Sequence, residues 1–244
     1  MIDKELISME KSEWKGYCRY DYVFDGRECI VIAPKEIAEK TPWVWRAEFF
    51  DAFAQADMAL LNDGWHIAYY HISDMYGCPR SIELMRNFYN DVIRRFNLSS
   101  KADLFGFSRG GLYATNYAVR YPKTVSTLYL DAPVLDIKSW PGGMGVGFGA
   151  EKEWKECVAI YNLDEKSVNN FCDSPIDKID LLKCPIILVA GDSDDVVPYC
   201  ENGAILAEKY TNNKIKVIVK PGVGHHPHSL YDTSIITDFI KEYR

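Results

Sequence analysis

A serine set between two glycines is the feature of this sequence whose residue types and spacing point most directly to chemistry. The pattern Gly-x-Ser-x-Gly is formed by Gly106, Ser108 and Gly110. It overlaps the end of an apolar run, residues 104–107, and a helical pattern begins at Leu112. A strand that turns abruptly into a helix leaves the residue at the turn on a strained backbone, and flanking glycines relieve the crowding there. The hydroxyl then lies at a helix N-terminus, where free N–H groups favour negative charge. The pattern predicts an exposed nucleophile.

A serine hydroxyl is a weak nucleophile until a base removes its proton, and the base needs a third group to hold its tautomer. Two later segments, each following an apolar run, supply candidates for both roles. Residues 191–198 contain aspartates at 192, 194 and 195, and residues 222–228 contain histidines at 225, 226 and 228. Together with the serine, these residue types indicate acyl transfer.

The three segments resemble the α/β-hydrolase family, whose nucleophile, acid and base follow separate strands in the order Ser, Asp or Glu, His. The turn Gly-x-x-Asp-x-x-Val-Pro implies Asp194 as the acid, with Asp192 and Asp195 as neighbours of the same type. The sequence Gly-x-Gly-His implies His225 as the general base, with His226 as the second choice. The resemblance covers nearly the whole chain and is nearest to compact bacterial esterases related to prolyl-oligopeptidase-type hydrolases.

The resemblance also implies two N–H donors for the oxyanion that forms when serine attacks a carbonyl. The first is the backbone N–H of Arg109, the residue after the nucleophile. The second comes from a loop after an early strand, where residues 42–45 stand in this sequence; we expect the N–H of Trp43, with Val44 as the alternative. The Arg109 side chain is expected to lie in solvent.

By this resemblance the chain is a serine hydrolase, and a carboxylic-ester hydrolase with an acyl-enzyme and no cofactor is the main hypothesis. Trp45, Tyr76 and Trp140, with Trp43, are candidates to line a pocket for an acylated carbohydrate or an aromatic ester. Packing against a helix explains the early tryptophans equally well. A peptidase or aminoacyl amidase with the same triad, and a non-catalytic binding protein of the same fold, remain alternatives.

The three neighbouring histidines also raise the question of a metal, because neutral imidazole binds zinc. They lie on one short loop, and no cysteine or carboxylate joins them at ligand spacing, so we expect no metal. Residues 145–150 match the Gly-x-Gly-x-x-Gly/Ala dinucleotide fingerprint. A strand must precede that fingerprint, whereas Trp140 and Pro141 lie upstream, so no nucleotide site is expected.

The elements around these motifs predict an α/β fold with a doubly wound, mostly parallel sheet and helices on both faces. Strand patterns alternate with helical ones, an order typical of parallel sheets that are covered on both sides. Predicted strands lie at 17–24, 29–33, 65–72, 104–107, 127–130, 185–190 and 215–219. Residues 1–15 show little pattern, and a helix is expected to carry Phe49, Phe53, Ala56 and Leu60 on one stripe.

Residues 134–183 interrupt this alternation with a glycine-rich stretch and short helical patterns at 151–161 and 165–172. The segment is too short to hold a core of its own. We therefore expect a single domain, 1–244, with a small lid-like insertion at about 134–183 over the carboxyl edge of the sheet.

The composition is that of a soluble globular protein: 244 residues, 48% hydrophobic and 26% charged. A formal net charge of −7 without a basic tract argues against nucleic acid or an anionic membrane as partner. No apolar run approaches a membrane span, and Met1–Glu5 lack a signal-peptide pattern. Seven scattered cysteines suit reduced thiols. The expected setting is cytoplasmic, with a small-molecule ester as partner and a homodimer as an option.

Overall fold

The computed structural model describes residues 9–164, 166–211 and 214–244. Met1–Glu5, on which the targeting prediction rests, and residue 165, the start of a predicted short helix, lie outside the described residues.

One mixed sheet forms the centre of the molecule. Among the described residues, its nine strands are β1 (Glu10–Trp14), β2 (Tyr17–Phe24), β3 (Arg27–Ala33), β4 (Trp43–Arg46), β5 (His66–Tyr70), β6 (Ala102–Phe107), β7 (Val125–Asp131), β8 (Ile186–Gly191) and β9 (Ile215–Lys220). Their spatial order is β1-β2-β3-β5-β4-β6-β7-β8-β9. The first three strands and β5 pair antiparallel, whereas β5, β4, β6, β7, β8 and β9 run parallel. The predicted doubly wound, mostly parallel sheet is confirmed.

Helices cover both faces of this sheet, as predicted. In the described ranges they are α1 (Gln55–Asn62), α2 (Pro79–Arg95), α3 (Gly110–Arg120), α4 (Glu151–Ile160), α5 (Gly203–Lys209) and α6 (Ser234–Glu242). One core layer includes Phe88, Tyr113 and Leu206 from α2, α3 and α5, and the other includes Leu60 and Ile240 from α1 and α6. Throughout those ranges, every helix is too short or too polar to cross a lipid bilayer.

Four local predictions were wrong. Strand β4 is absent from the predicted strands, because only four residues form it. Residues 10–14 form the edge strand β1, whose first four residues are exposed, so no alternation of apolar residues marks it. The helix expected to include Phe49 and Phe53 begins only at Gln55, because both phenylalanines adopt left-handed backbone with φ of 53° and 49°. The second short helix of the insertion reduces to one 3-10 turn, Val168–Asn170.

The segment 134–183 is tied into the main core rather than standing apart from it. Leu135, Ile137, Cys157 and Ile176 are buried in the layer that contains α2 and α3. In contrast, the stretch 142–149 carries the exposed apolar side chains of Met144, Val146 and Phe148. The division into one domain with a small insertion stays a prediction.

Candidate active site

Ser108 occupies a sharp corner between β6 and α3. Its φ of 46° lies in the left-handed region, and its N–H donates to the carbonyl of Asp131 at 2.9 Å. A Cβ on Gly106 would stand 2.8 Å from the Cβ of Ala114 and 2.9 Å from the carbonyl oxygen of Gly110. The strand can therefore approach the helix this closely only because residue 106 is glycine.

His225 connects Ser108 to Asp194. Its Nε2 lies 2.9 Å from Ser108 Oγ, and its Nδ1 lies 2.7 Å from Asp194 Oδ2. The other oxygen of Asp194 accepts the N–H groups of Val196 and Val197 at 2.9 and 2.8 Å. An Nδ1–H that donates to the carboxylate leaves Nε2 free to accept the serine proton. The structure thus brings together the three residues that the sequence singles out.

The loops after β8 and β9 hold the acid and the base against each other. A Cβ on Gly191 would lie 2.0 Å from the carbonyl oxygen of Val223, so the close approach of the two loops depends on a glycine there. Asp192 bridges the same loops, since its Oδ1 accepts the N–H of Gly222 at 2.7 Å. Asp195 is exposed. Of the three neighbouring aspartates, Asp194 is therefore the one that contacts the histidine.

His226, the second choice for the base, points elsewhere. It is exposed and stacks on Phe53, with ring centroids 5.6 Å apart and planes 15° apart. Partial burial and the neighbouring His228 and His225 lower the pKa of His226. The side chains of His225, His226 and His228 nevertheless bring their nitrogens within 4.8 Å of one another, a group that could hold a metal ion.

A second aspartate–histidine pair lies beside the first. His228 Nδ1 is 2.9 Å from Asp131 Oδ1, and the other oxygen of Asp131 accepts the hydroxyl of Tyr129 at 2.6 Å and the N–H of Ser229 at 2.7 Å. No local sequence pattern indicates this pair, because its members are 97 positions apart. The available signal was the position of Asp131 at the carboxyl end of a buried strand, the edge where Ser108 also lies.

The Trp43 prediction for the oxyanion site is wrong. Trp43 begins β4 and pairs with His66, the first residue of β5, so it lies at the amino ends of the parallel strands. Ser108 follows the carboxyl end of β6, the opposite edge of the sheet. Trp43 and Val44 are completely buried, and the Trp43 indole donates to the carbonyl of Ser99.

Glu48 is the residue that the structure places beside the elbow instead. It follows the carboxyl end of β4, and its backbone nitrogen lies 3.6 Å from where a Cβ on Gly110 would stand. Its N–H and that of Arg109 are therefore the candidates for the two oxyanion donors. The residue pattern gives no direct sign of this, because the Arg-Ala-Glu stretch contains no glycine.

The Arg109 side chain does not extend into solvent as expected. Arg109 Nη2 lies 3.0 Å from Glu48 Oε2, and the two side chains are 19% and 1% exposed. Burial raises the pKa of Glu48, although Arg109 and Ser73 oppose that shift. The guanidinium lies 5.6 Å from the centre of the Phe49 ring and 5.5 Å from that of Tyr76. A buried ion pair thus adjoins the nucleophile.

Only part of the predicted aromatic pocket lies near this ion pair. Trp45 is a core residue, 1% exposed, whose ring packs against Tyr117 at 4.9 Å, so its assignment to the pocket is wrong. Tyr76 is completely buried under Arg109 and its hydroxyl donates to Glu156 at 2.6 Å, so its assignment to the pocket lining is wrong as well. The ring of Trp140, partly exposed, is 6.5 Å from that of Tyr76.

The chain is similar to known proteins in structure and not in sequence. No protein-family model and no curated protein sequence matches the chain. Est1E from Butyrivibrio proteoclasticus is 17% identical, with a TM-score of 0.62 over 92% of this chain and 96% of that one. Acetyl Xylan Esterase 1 from Thermoanaerobacterium sp. JW/SL YS485 is 15% identical, with a TM-score of 0.65 over 98% and 88%. A Mycobacterium tuberculosis puromycin-hydrolyzing peptidase is 12% identical, with a TM-score of 0.64 over 97% of this chain but only 38% of the peptidase.

Proposed function

The chain has the α/β-hydrolase fold, and from that premise we propose that it is a serine hydrolase that cleaves carboxylic esters of small molecules. The observation that carries the proposal is the line of contacts from Ser108 Oγ to His225 Nε2 at 2.9 Å and from His225 Nδ1 to Asp194 at 2.7 Å. Fold alone does not define an activity, so the argument rests on this geometry.

In the proposed mechanism, Ser108 Oγ attacks the ester carbonyl while His225 Nε2 takes its proton. Asp194 holds the imidazole in the required tautomer and stabilises the imidazolium that forms. The backbone N–H groups of Arg109 and Glu48 stabilise the oxyanion. The imidazolium then protonates the departing alkoxide, which leaves as an alcohol. Water, deprotonated by His225, then attacks the acyl-enzyme; the acyl group leaves as a carboxylic acid, and His225 returns the proton to Ser108 Oγ.

The charges around the serine favour an ester over an aminoacyl amide. An aminopeptidase needs an acidic group to hold the free amine of its substrate, whereas the carboxylates of Asp194 and Glu48, which lie beside the nucleophile in the described structure, already have partners. Asp194 accepts from His225 and two backbone N–H groups, and Glu48 pairs with Arg109. The peptidase alternative therefore needs a carboxylate that this part of the site does not leave free.

For the leaving group or acyl group, Trp140 and Arg109 support a planar or sugar-like partner. Trp140 is partly exposed and packs 6.5 Å from the buried ring of Tyr76, over which the Arg109 guanidinium lies. Arg109 adds polar donors on that side of the site. Acetylated sugars, feruloyl esters, simple acyl esters and aminoacyl anilides form the panel that tests this; fastest turnover of long aliphatic esters or of the anilides would contradict it.

Covalent labelling separates an enzyme from a binding protein. A fluorophosphonate probe should label the wild type, should fail to label Ser108→Ala, and should label Ser12→Ala normally, because Ser12 is an exposed serine in edge strand β1. Loss of the nucleophile should also remove hydrolysis by several orders of magnitude. Equal labelling of the wild type and Ser108→Ala would contradict the proposal.

A further inference from the structure

The three histidines of the segment 225–228 are arranged in space like the ligands of a metal site. Their ring centroids are 4.9, 4.9 and 4.8 Å apart, and the ring planes meet at 68°, 82° and 84°. One nitrogen from each ring can be chosen so that the three lie within 4.8 Å of one another. Tetrahedral zinc with Zn–N bonds of about 2.0 Å places its ligand nitrogens about 3.3 Å apart. Small ring movements therefore bring these nitrogens into ligand geometry.

Two of the three histidines already have the outer partner that metal-bound histidines usually have. Asp194 holds Nδ1 of His225 at 2.7 Å, and Asp131 holds Nδ1 of His228 at 2.9 Å. A carboxylate on one ring nitrogen fixes the tautomer, so that the lone pair lies on the other nitrogen, and increases the basicity of that ligand. All four side chains are at least nine-tenths buried, with exposed fractions of 9% or less. The carboxylates also bring negative charge to the cluster.

The third histidine is the adaptable member of the group. His226 is exposed, stacks on Phe53 and makes no hydrogen bond with another residue of the described ranges. Neither of its ring nitrogens has to give up a partner to bind a metal. It also gives the cluster its access to solvent, since His228 is buried.

We propose that His225, His226 and His228 form a binding site for a divalent transition metal of the zinc class, and that the metal switches the hydrolase off. The second half of this inference rests on the proposed function. His225 Nε2, which faces Ser108 at 2.9 Å, is the nitrogen that the metal takes. While the metal is bound, that nitrogen cannot accept the serine proton, so metal and catalysis compete for one lone pair.

Direct titration tests the site without reference to activity. Protein stripped with a chelator is titrated with Zn²⁺ by calorimetry, as wild type, Ser108→Ala, His226→Ala and the control His71→Ala, whose histidine is exposed and outside the cluster. We expect one equivalent to bind the wild type, Ser108→Ala and His71→Ala with similar affinity. His226→Ala should bind at least tenfold more weakly. Equal zinc affinity of the wild type and His226→Ala, or no binding by either, would overturn the site.

Ester hydrolysis with and without Zn²⁺ tests the competition. Metal-free His226→Ala should hydrolyse at close to the wild-type rate but require at least tenfold more zinc for half inhibition, and a chelator should restore activity to both. Zinc binding without inhibition would overturn the switch. If the proposed function fails, metal-free wild type shows no turnover while the calorimetric result stands, so the two failures are distinguishable.

Discussion

At the scale of single residues, the candidate site depends on one imidazole, that of His225, whose two nitrogens each contact another residue of the site. His225 contacts Ser108 through Nε2 and Asp194 through Nδ1, whereas the adjacent His226 stacks on Phe53 and contacts neither. Sequence alone ranked these histidines by their distance from a Gly-x-Gly pattern. The contacts give a physical reason for the same order.

Replacing each histidine in turn tests that order. His225→Gln should lower kcat/KM for a p-nitrophenyl ester about 10³-fold or more, because no other group takes the serine proton. His226→Gln, assayed without added metal, is the matched control and should stay close to the wild-type value. A comparable loss in both variants, or a larger one in His226→Gln, would show that the base is assigned wrongly.

The Arg109–Glu48 ion pair should stabilise the fold only while both side chains are present. Arg109→Met leaves a carboxylate that is 1% exposed without its partner, and we expect a loss of about 3 kcal/mol in the free energy of unfolding. The double variant Arg109→Met/Glu48→Gln removes both charges and should recover most of that loss. Urea denaturation of the two single variants and the double variant measures the coupling. Strictly additive losses would mean that the two side chains do not depend on each other.

A site residue can be predicted from the sequence when a short local pattern marks it. It cannot be predicted when its role depends on a partner far along the chain. Ser108, Asp194 and His225 are each marked by a short local pattern after a strand. The pairs Glu48–Arg109 and Asp131–His228 join residues 61 and 97 positions apart, and no local spacing encodes them. The prediction for Trp43 is wrong because residues 43–46 form a short strand that the sequence analysis does not predict, so the loop after this strand begins later than expected.

At the scale of elements, the corner between β6 and α3 should tolerate no side chain at residue 106. Gly106→Ala places a Cβ 2.8 Å from Ala114, and we expect destabilisation of about 1–3 kcal/mol together with a clear fall in kcat. Gly26→Ala is the matched control: Gly26 has φ of 73° but nothing within 4 Å of its missing Cβ. It should cost about 1 kcal/mol and leave kcat unchanged. Unfolding midpoints and ester turnover measure both, and full kcat in Gly106→Ala would contradict the packing argument.

Strand β5 makes the fold sensitive to acid through its first residue. Burial lowers the pKa of His66 from 6.5 to about 4, although a hydrogen bond with Pro42 opposes the shift. Between those values the unfolded chain binds a proton that the folded chain does not, so stability is complete above about pH 6.5 and falls as the pH falls toward 4. The full contribution is about 3 kcal/mol.

His66→Gln removes this group from the titration. The difference in the free energy of unfolding between about pH 7.5 and about pH 4.5 should be smaller in His66→Gln than in the wild type. Every other titrating group is common to the two proteins, so the comparison isolates His66. An equal acid loss in both would show that His66 titrates normally in the folded protein.

Elements are predicted well where a pattern extends over enough residues, and poorly where a segment is exposed or very short. Five of the six parallel strands match predicted strands, whereas the buried strand β4 has only four residues and is absent from the prediction. Edge strand β1 is exposed at four of its five residues, so its sequence carries no alternation. The phenylalanines before α1 have helical spacing and therefore predict a helix. Their positive φ values depend on tertiary contacts, which the spacing does not show.

At the scale of the whole molecule, the topology explains why distant residues converge. Six neighbouring strands run parallel, so their carboxyl ends meet at one edge of the sheet. Glu48, Ser108, Asp131, Asp194 and His225 all follow or end one of these strands. The alternation of strands and helices therefore predicts where the chemistry lies, and the loops decide which side chains supply it.

Detection of the acyl-enzyme tests the central claim most directly. Wild-type protein is mixed with a p-nitrophenyl ester, quenched in acid during turnover, digested and analysed by mass spectrometry, with Ser108→Ala treated in parallel. We predict an acyl group on Ser108 in the wild type and neither adduct nor turnover above background in the variant. Wild-type turnover by Ser108→Ala, or an acyl group carried by another residue, would contradict the account.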